Sequence, residues 1–249
     1  MKIARFVGYI DESGIKGRTM SESHDRATHH YNLGIQFERN DDIDNAAREF
    51  ENAIRADCRF PYPYRALGEI YFNKGRYEDA LEHLEKAIEL DPDWIEALGL
   101  AADALIELGD TRKAAPLLER ALRGDPGNPR YSAQLGRILI AEGDFSDAVE
   151  LLEGALRACP DDYKLNYNMG VALGKRAMAD IDLSIEHWRR AVAVKADDPR
   201  AFRNMAISYF SRGFLDEASD AFRTALSLDP NDDVSARFLK FSEGVNKRG

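Results

Sequence analysis

Apolar positions along this chain recur at three- and four-residue spacing in short blocks, with polar breaks between the blocks. The stretch from Pro61 to Trp94 shows the pattern at its plainest. Tyr64, Leu67, Gly68 and Tyr71 share one face of a helix, because that spacing matches the helical turn. Asn73-Lys74-Gly75 interrupts the run, and a glycine there can take the left-handed conformation that ends a helix. Tyr77, Ala80, Leu84 and Ala87 then repeat the spacing on a second helix. Leu90-Asp91-Pro92 closes it, since proline cannot continue a helix. Two helices this short cannot bury their apolar faces alone, so the pattern predicts copies stacked on either side.

The copies follow at a fixed period. Leu33-Gly34, Leu67-Gly68, Ala101-Ala102, Leu135-Gly136 and Met169-Gly170 succeed one another at 34 residues, and Met205-Ala206 follows after 36. The second helices carry an alanine, a large apolar residue and another alanine in matching register. They read Ala46, Phe50, Ala53; Ala80, Leu84, Ala87; Ala114, Leu118, Ala121; Ala148, Leu152, Ala155; and Ala218, Phe222, Ala225, with Ser184, Trp188, Ala191 in the fifth unit. Closing prolines recur at Pro92, Pro126, Pro160 and Pro230. A glycine or alanine beside a leucine leaves a hole at a helix crossing. The large residue of the second helix is expected to enter it, as ridges enter grooves.

On these residues the chain resembles the tetratricopeptide repeat family. The resemblance and the period together imply an all-α fold, a right-handed superhelical solenoid of six helix pairs plus a C-terminal capping helix. The expected units are 27–60, 61–94, 95–128, 129–162, 163–198 and 199–232, with a non-repeat arm over 1–26 and a capping helix and tail over 233–249.

Several segments depart from the plain repeat. Ile3 to Ile10 suits one strand, and Asp11 to Glu22 reads as a loop. The acidic turn Asn40 to Asp44 gives the next helix a negative start that complements its dipole. From Ala56 to Tyr64 two prolines and three aromatics replace the usual turn, which leaves two readings, an aromatic rim or local packing at the junction. Pro116 falls in the second turn of its helix, where it is either tolerated or kinks the start. The segment Ala177 to Asp182 carries the two extra residues of the fifth unit. Asp233 to Glu243 reads as a terminal helix, and Asn246 to Gly249 as a frayed tail.

Composition narrows the classes. A hydrophobic content of 44% supports a stacked core, and a net charge of -10 argues against nucleic acid as a partner. Cys58 and Cys159 end second helices three repeats apart, at about 25–30 Å if helices pack 8–10 Å apart. That is too far for a disulfide, so free thiols in a reducing compartment are expected. The start MKIARFVGYIDESG is too short and polar for a signal peptide or a membrane span, which makes the cytoplasm the default and membrane insertion unexpected.

Chemistry is sparse. There is no phosphate loop, nucleophile elbow or Cys-x-x-Cys, and His24, His29, His30, His83 and His187 lack partners at metal-ligand spacing. No catalytic residue, metal or cofactor is expected. The resemblance implies instead that first helices line a groove for extended or helical peptides. One subset of the family sets an asparagine before the Leu-Gly pair to grip peptide backbone. Asn32, Asn168 and Asn204 hold that place here, with Gln134 in the fourth unit, while Ala66 and Leu100 interrupt the ladder. An amide suits the task because it donates and accepts at once.

Charge on that face is uneven. Glu69, Glu96, Asp103 and Glu107 are expected along units two and three, with Arg65 the exception. Arg130, Arg137, Lys164, Lys175, Arg200 and Arg203 are expected along units four to six. The family's carboxylate clamp needs an Asn one past the glycine, where Ile35, Val171 and Ile207 stand, so only a looser preference for an acidic ligand follows. The expected function is a non-enzymatic adaptor or assembly factor that holds another protein's segment in the groove. The alternatives are a self-assembling scaffold, whose arm docks on a neighbouring copy, and a regulatory subunit of an enzyme complex.

Overall fold

The computed structural model describes residues 20–176 and 180–246. The described residues form thirteen α-helices and no strand. They are α1 (Met20–Arg39), α2 (Ile43–Ala56), α3 (Pro61–Asn73), α4 (Tyr77–Leu90), α5 (Ile95–Glu107), α6 (Thr111–Gly124), α7 (Pro129–Glu142), α8 (Phe145–Ala158), α9 (Tyr163–Arg176), α10 (Ile181–Val194), α11 (Pro199–Ser211), α12 (Leu215–Leu228) and α13 (Asp233–Asn246). The fold is an all-α helical repeat solenoid. The chain divides into two compact units, Met1–Ala114 and Ala115–Gly249.

The small residues act as the spacing predicts. A methyl group added to Gly34 would lie 2.5 Å from Cε1 of Phe50, and one on Gly68 would lie 2.5 Å from Cγ of Leu84. In the second unit, one on Gly170 would lie 2.7 Å from Cε2 of Trp188. Each large side chain fills the space that its glycine leaves open, and all three are buried. The alanines of the second helices, Ala46, Ala53, Ala80, Ala87, Ala148 and Ala155 among them, are fully buried, as close helix approach requires.

Between the helices of a pair the turn is tight. Gly143 takes φ 94° at the end of α7, and its N–H bonds back to Ile140. The first pair breaks the pattern, because Asp41 stands at the corresponding position and adopts φ 61°. Asp42 caps α2 there by accepting from the Asn45 N–H. Helix α6 runs through Pro116 without a break. Helix α13 follows the sixth pair and packs on α12.

Three boundaries differ from the sequence reading. Helix α1 begins at Met20, so Met20 to Glu22 are helical and the first pair starts seven residues before Ala27. No breaker separates Met20 from Asn40, and His24 joins the fold by bonding Asp57 at 3.0 Å and packing edge-on against Phe60. Helix α10 starts at Ile181, within the segment expected as a turn, and Asp180 before it holds Arg176 at 2.8 Å. Helix α13 continues to Asn246. The strand expected over Ile3 to Ile10 and the tail beyond Asn246 lie outside the described residues.

Candidate peptide-binding face

Within each unit, first helices contact one another. In the second unit α7 touches α9, α9 touches α11, and α11 touches α13, while no comparable set of contacts joins α8 to α10 or α10 to α12 among the described residues. In the first unit α3 likewise touches α5. Side chains at the outward positions of neighbouring first helices therefore share a surface within each unit.

Within the second unit the asparagines lace neighbouring helices together. Asn168 is 8% exposed, and its Nδ2 donates to the carbonyl of Ala133 at 2.8 Å, joining α9 to α7. Asn204 is half-buried and donates to the Tyr167 hydroxyl at 3.3 Å, joining α11 to α9. Gln134 is half-buried and Asn32 exposed. The donors of Asn168 and Asn204 are thus engaged within the chain, and of the four amides Asn32 presents itself most fully to solvent.

The cations separate in the same way. Asp198 caps α11, accepting the Arg200 N–H at 2.9 Å, and grips the Arg200 guanidinium at 3.1 and 2.8 Å. The Tyr163 hydroxyl donates to the same carboxylate at 2.6 Å. Asp198 is 4% exposed, and its bonds to Arg200 hold it far below the usual carboxylate range against the opposing effect of burial. Burial, then the bond to Asp198, pushes the Tyr163 hydroxyl well above its ordinary value. Arg203 pairs with Asp232 at 3.2 Å, and Asp232 in turn caps α13 through Ser235. Both acids precede their helices as N-caps, a signal present in the sequence at Asp198-Pro199-Arg200 that the charge reading passed over.

Arg130, Arg137, Lys164 and Lys175 are exposed. Arg130 lies over the Tyr131 ring at 5.8 Å. Arg137, Lys164 and Lys175 have no ion-pair partner among the described residues. Lys175 stands four residues beyond Val171, on one stripe of α9. Val171, Ile207 and Phe210 are half-buried, and Phe241 of α13 is 61% exposed with its ring 5.7 Å from that of Phe210. The first helices of the second unit thus carry half-buried apolar residues as well as these exposed cations.

The first unit has the opposite character. Tyr31, Phe60, Tyr62 and Trp94 make a row whose successive ring centroids are 5.6, 5.2 and 5.1 Å apart. Both readings of the Ala56 to Tyr64 junction therefore hold in part, since Phe60 is buried in the junction while Tyr62 is 48% exposed. Arg65 pairs with Glu69 at 2.8 Å and lies over Trp94 at 5.6 Å. Glu96 and Glu107 are exposed, whereas Asp103 is buried. Glu38, which the sequence reading did not single out, joins this face one helical heptad after Tyr31. Burial, with the neighbouring Glu69 carboxylate, holds Glu38 above the usual carboxylate range, and Arg65 opposes the shift.

Four of the histidines, His24, His30, His83 and His187, bond within the fold. His83 bonds the Asp79 carbonyl at 2.9 Å. His187 is buried, with Nδ1 2.8 Å from Oδ1 of Asn166. Asn166 donates to the carbonyls of Pro160 and Asp162, so its oxygen accepts from His187. No group of three His, Cys, Asp or Glu among the described residues is placed to hold a metal ion. Cys58 and Cys159 are free thiols. No helix among the described residues is long and apolar enough to cross a membrane.

Sequence profiles described as tetratricopeptide repeat match residues 31–93, 71–138, 105–167 and 199–232. No curated protein matches the chain in sequence. Among solved structures the chain is similar to YrrB, described as a tetratricopeptide protein with an unusual peptide-binding site, at TM-score 0.69 and 21% identity over 78% of this chain and 99% of that one. It is similar to the MamA fragment 41-end from Desulfovibrio magneticus RS-1, at TM-score 0.62 and 21% identity over 70% and 97%. A third likeness, to a chain of the APC/C hetero-tetramer Cut9-Hcn1, has TM-score 0.63 and 18% identity over 93% of this chain and 46% of that one. At these identities the likenesses establish the fold.

Proposed function

The chain belongs to the tetratricopeptide repeat family, and on that premise we propose that it is a non-enzymatic adaptor or assembly factor that holds a partner segment along its first helices. Proteins of this family generally act as non-catalytic interaction modules. The cytoplasm is the compartment this reading assumes, with Cys58 and Cys159 reduced.

One observation carries the reading. Of the cations on the first helices of the second unit, Arg200 and Arg203 serve carboxylates of their own chain, whereas Arg137, Lys164 and Lys175 stand exposed without an ion-pair partner among the described residues. The same first helices carry the half-buried apolar Val171, Ile207 and Phe210. The complement of such a set of side chains is a segment of another protein that carries carboxylates and large apolar side chains. Ion pairs made there are partly desolvated by the ligand, and so count for more than exposed surface pairs. The peptide-binding site ascribed to YrrB, on the same fold, supports the reading.

The test is capture of partners from the source cell on the immobilised full chain, repeated with Arg137→Glu/Lys175→Glu. The double reversal is expected to weaken capture at least about tenfold, or 1.4 kcal/mol, with helicity unchanged by circular dichroism. Equal capture by both chains would overturn the assignment to these residues. Loss of capture only on reversing Glu69 would move the partner to the first unit and make it basic.

A further inference from the structure

Three aromatic side chains of the first unit stand in a row with their polar atoms unengaged. Tyr31 of α1, Tyr62 of α3 and Trp94 at the N-cap of α5 follow one another at ring-centroid steps of 5.9 and 5.1 Å. Their rings are inclined at 54° and 60°, so successive faces diverge and open a slot on either side of Tyr62. Tyr62 is 48% exposed, and Tyr31 and Trp94 are half-buried. The hydroxyls of Tyr31 and Tyr62 and the indole N–H of Trp94 have no hydrogen-bond partner among the described residues.

The charges at the edge of the row are balanced within the chain. Arg65 pairs with Glu69 at 2.8 Å, acts on Glu38 as well, and lies over Trp94 at 5.6 Å. A ligand cation therefore finds both acids already met and the indole face occupied. A ligand carboxylate finds Glu38 and Glu69 against it. Charge complementarity thus favours an uncharged ligand, one that offers acceptors to three donors and flat apolar rings to two slots.

A proline-rich segment has this chemistry. Each proline adds a carbonyl to the backbone and no N–H. The polyproline II helix makes no internal hydrogen bonds, so its carbonyls are free to accept. It is ordered before binding, so docking on aromatic side chains costs it little entropy. Its turn of three residues rises about 9 Å, comparable with the two steps of the row. Prolines three residues apart return to the same face of that helix, one for each side of Tyr62.

We propose that Tyr31, Tyr62 and Trp94 form a docking site for an uncharged proline-rich segment of another protein, held as a polyproline II helix and separate from the cations of the second unit. Prolines at i and i+3 enter the slots that flank Tyr62. The two hydroxyls and the indole N–H donate to carbonyls of the turn between them.

Fluorescein-labelled decaproline, titrated by anisotropy into the full chain, tests this, with a ten-residue Gly-Ser peptide as the flexible uncharged control. Decaproline is expected to bind at least about tenfold more tightly than the control, a difference of 1.4 kcal/mol. Tyr62→Ala should remove that advantage. Trp94→Phe, which keeps a ring and loses the N–H, should weaken binding about two- to tenfold. Helicity by circular dichroism should persist in both variants. Added salt should leave the affinity within about twofold, since no ion pair forms. Equal affinity for the two peptides, or no effect of Tyr62→Ala, overturns the proposal. Concentration-dependent association of the unchanged chain in light scattering, abolished by Tyr62→Ala, would also overturn it by making a second copy the occupant. Arg137→Glu/Lys175→Glu should leave decaproline binding intact, which separates this result from the test of the second unit.

Discussion

Nδ2 of Asn168 donates to the carbonyl oxygen of Ala133 at 2.8 Å, across the gap between two first helices. The residue at the family's backbone-gripping position therefore contributes to stacking. Asn168→Ala is expected to lower stability by about 0.5–1.5 kcal/mol, read as a shift in the denaturant midpoint. Asn32→Ala, at the matching but exposed position, should leave the midpoint nearly unchanged. The reverse ranking would mean that the bond to Ala133 contributes nothing.

Two helical glycines should respond with opposite sign. Gly170→Ala sets a methyl 2.7 Å from the Trp188 ring and should cost about 1–3 kcal/mol by overfilling the crossing. Gly154 lies in α8, where an added methyl meets only Arg157 at 3.7 Å. Gly154→Ala should stabilise by about 0.5–1 kcal/mol through helix propensity. Thermal unfolding of both variants decides it.

Asp198 and Arg200 are expected to act on stability more than on recognition. Asp198→Ala removes an N-cap and orphans the Tyr163 hydroxyl, and should cost about 1–2 kcal/mol. Arg200→Ala should lower the denaturant midpoint while leaving partner capture within about twofold. A tenfold loss of capture with an unchanged midpoint would return Arg200 to the binding set.

Acid should weaken the packing of α9 on α10. Burial holds His187 below its ordinary value, so the unfolded chain binds the proton more readily than the folded one. The stabilising contribution is present above the unfolded value of about 6.5 and is lost as pH falls below it. Glu38, held above the carboxylate range, works in the opposite direction at lower pH. Chemical denaturation between pH 7.5 and about 5.5 should show a fall in stability that His187→Gln reduces.

Asp41 occupies the left-handed position that glycine fills in later pairs, at φ 61°. Asp41→Gly should raise stability by about 0.5–1 kcal/mol, and an unchanged melting temperature would show that Asp41 tolerates the conformation without cost.

The sequence by itself determined the helix pairs and their packing. Gly34, Gly68 and Gly170 meet Phe50, Leu84 and Trp188 because a repeat touches its neighbours in one fixed way, so spacing along the chain is also spacing across the stack. Turn glycines and closing prolines were legible for the same reason, since they act on backbone within a few residues. The tertiary structure decided which polar groups are already bonded within the chain. Arg200 and Arg203 look like Arg137 in the sequence, but they find Asp198 at the cap of their own helix and Asp232 at the cap of α13. Asn168 and Asn204 likewise find acceptors on neighbouring first helices, and Asn32 stays exposed. Whether a charge or an amide is spent depends on atoms within about 3 Å of it. Residue type and period do not fix that distance; side-chain reach across neighbouring helices does.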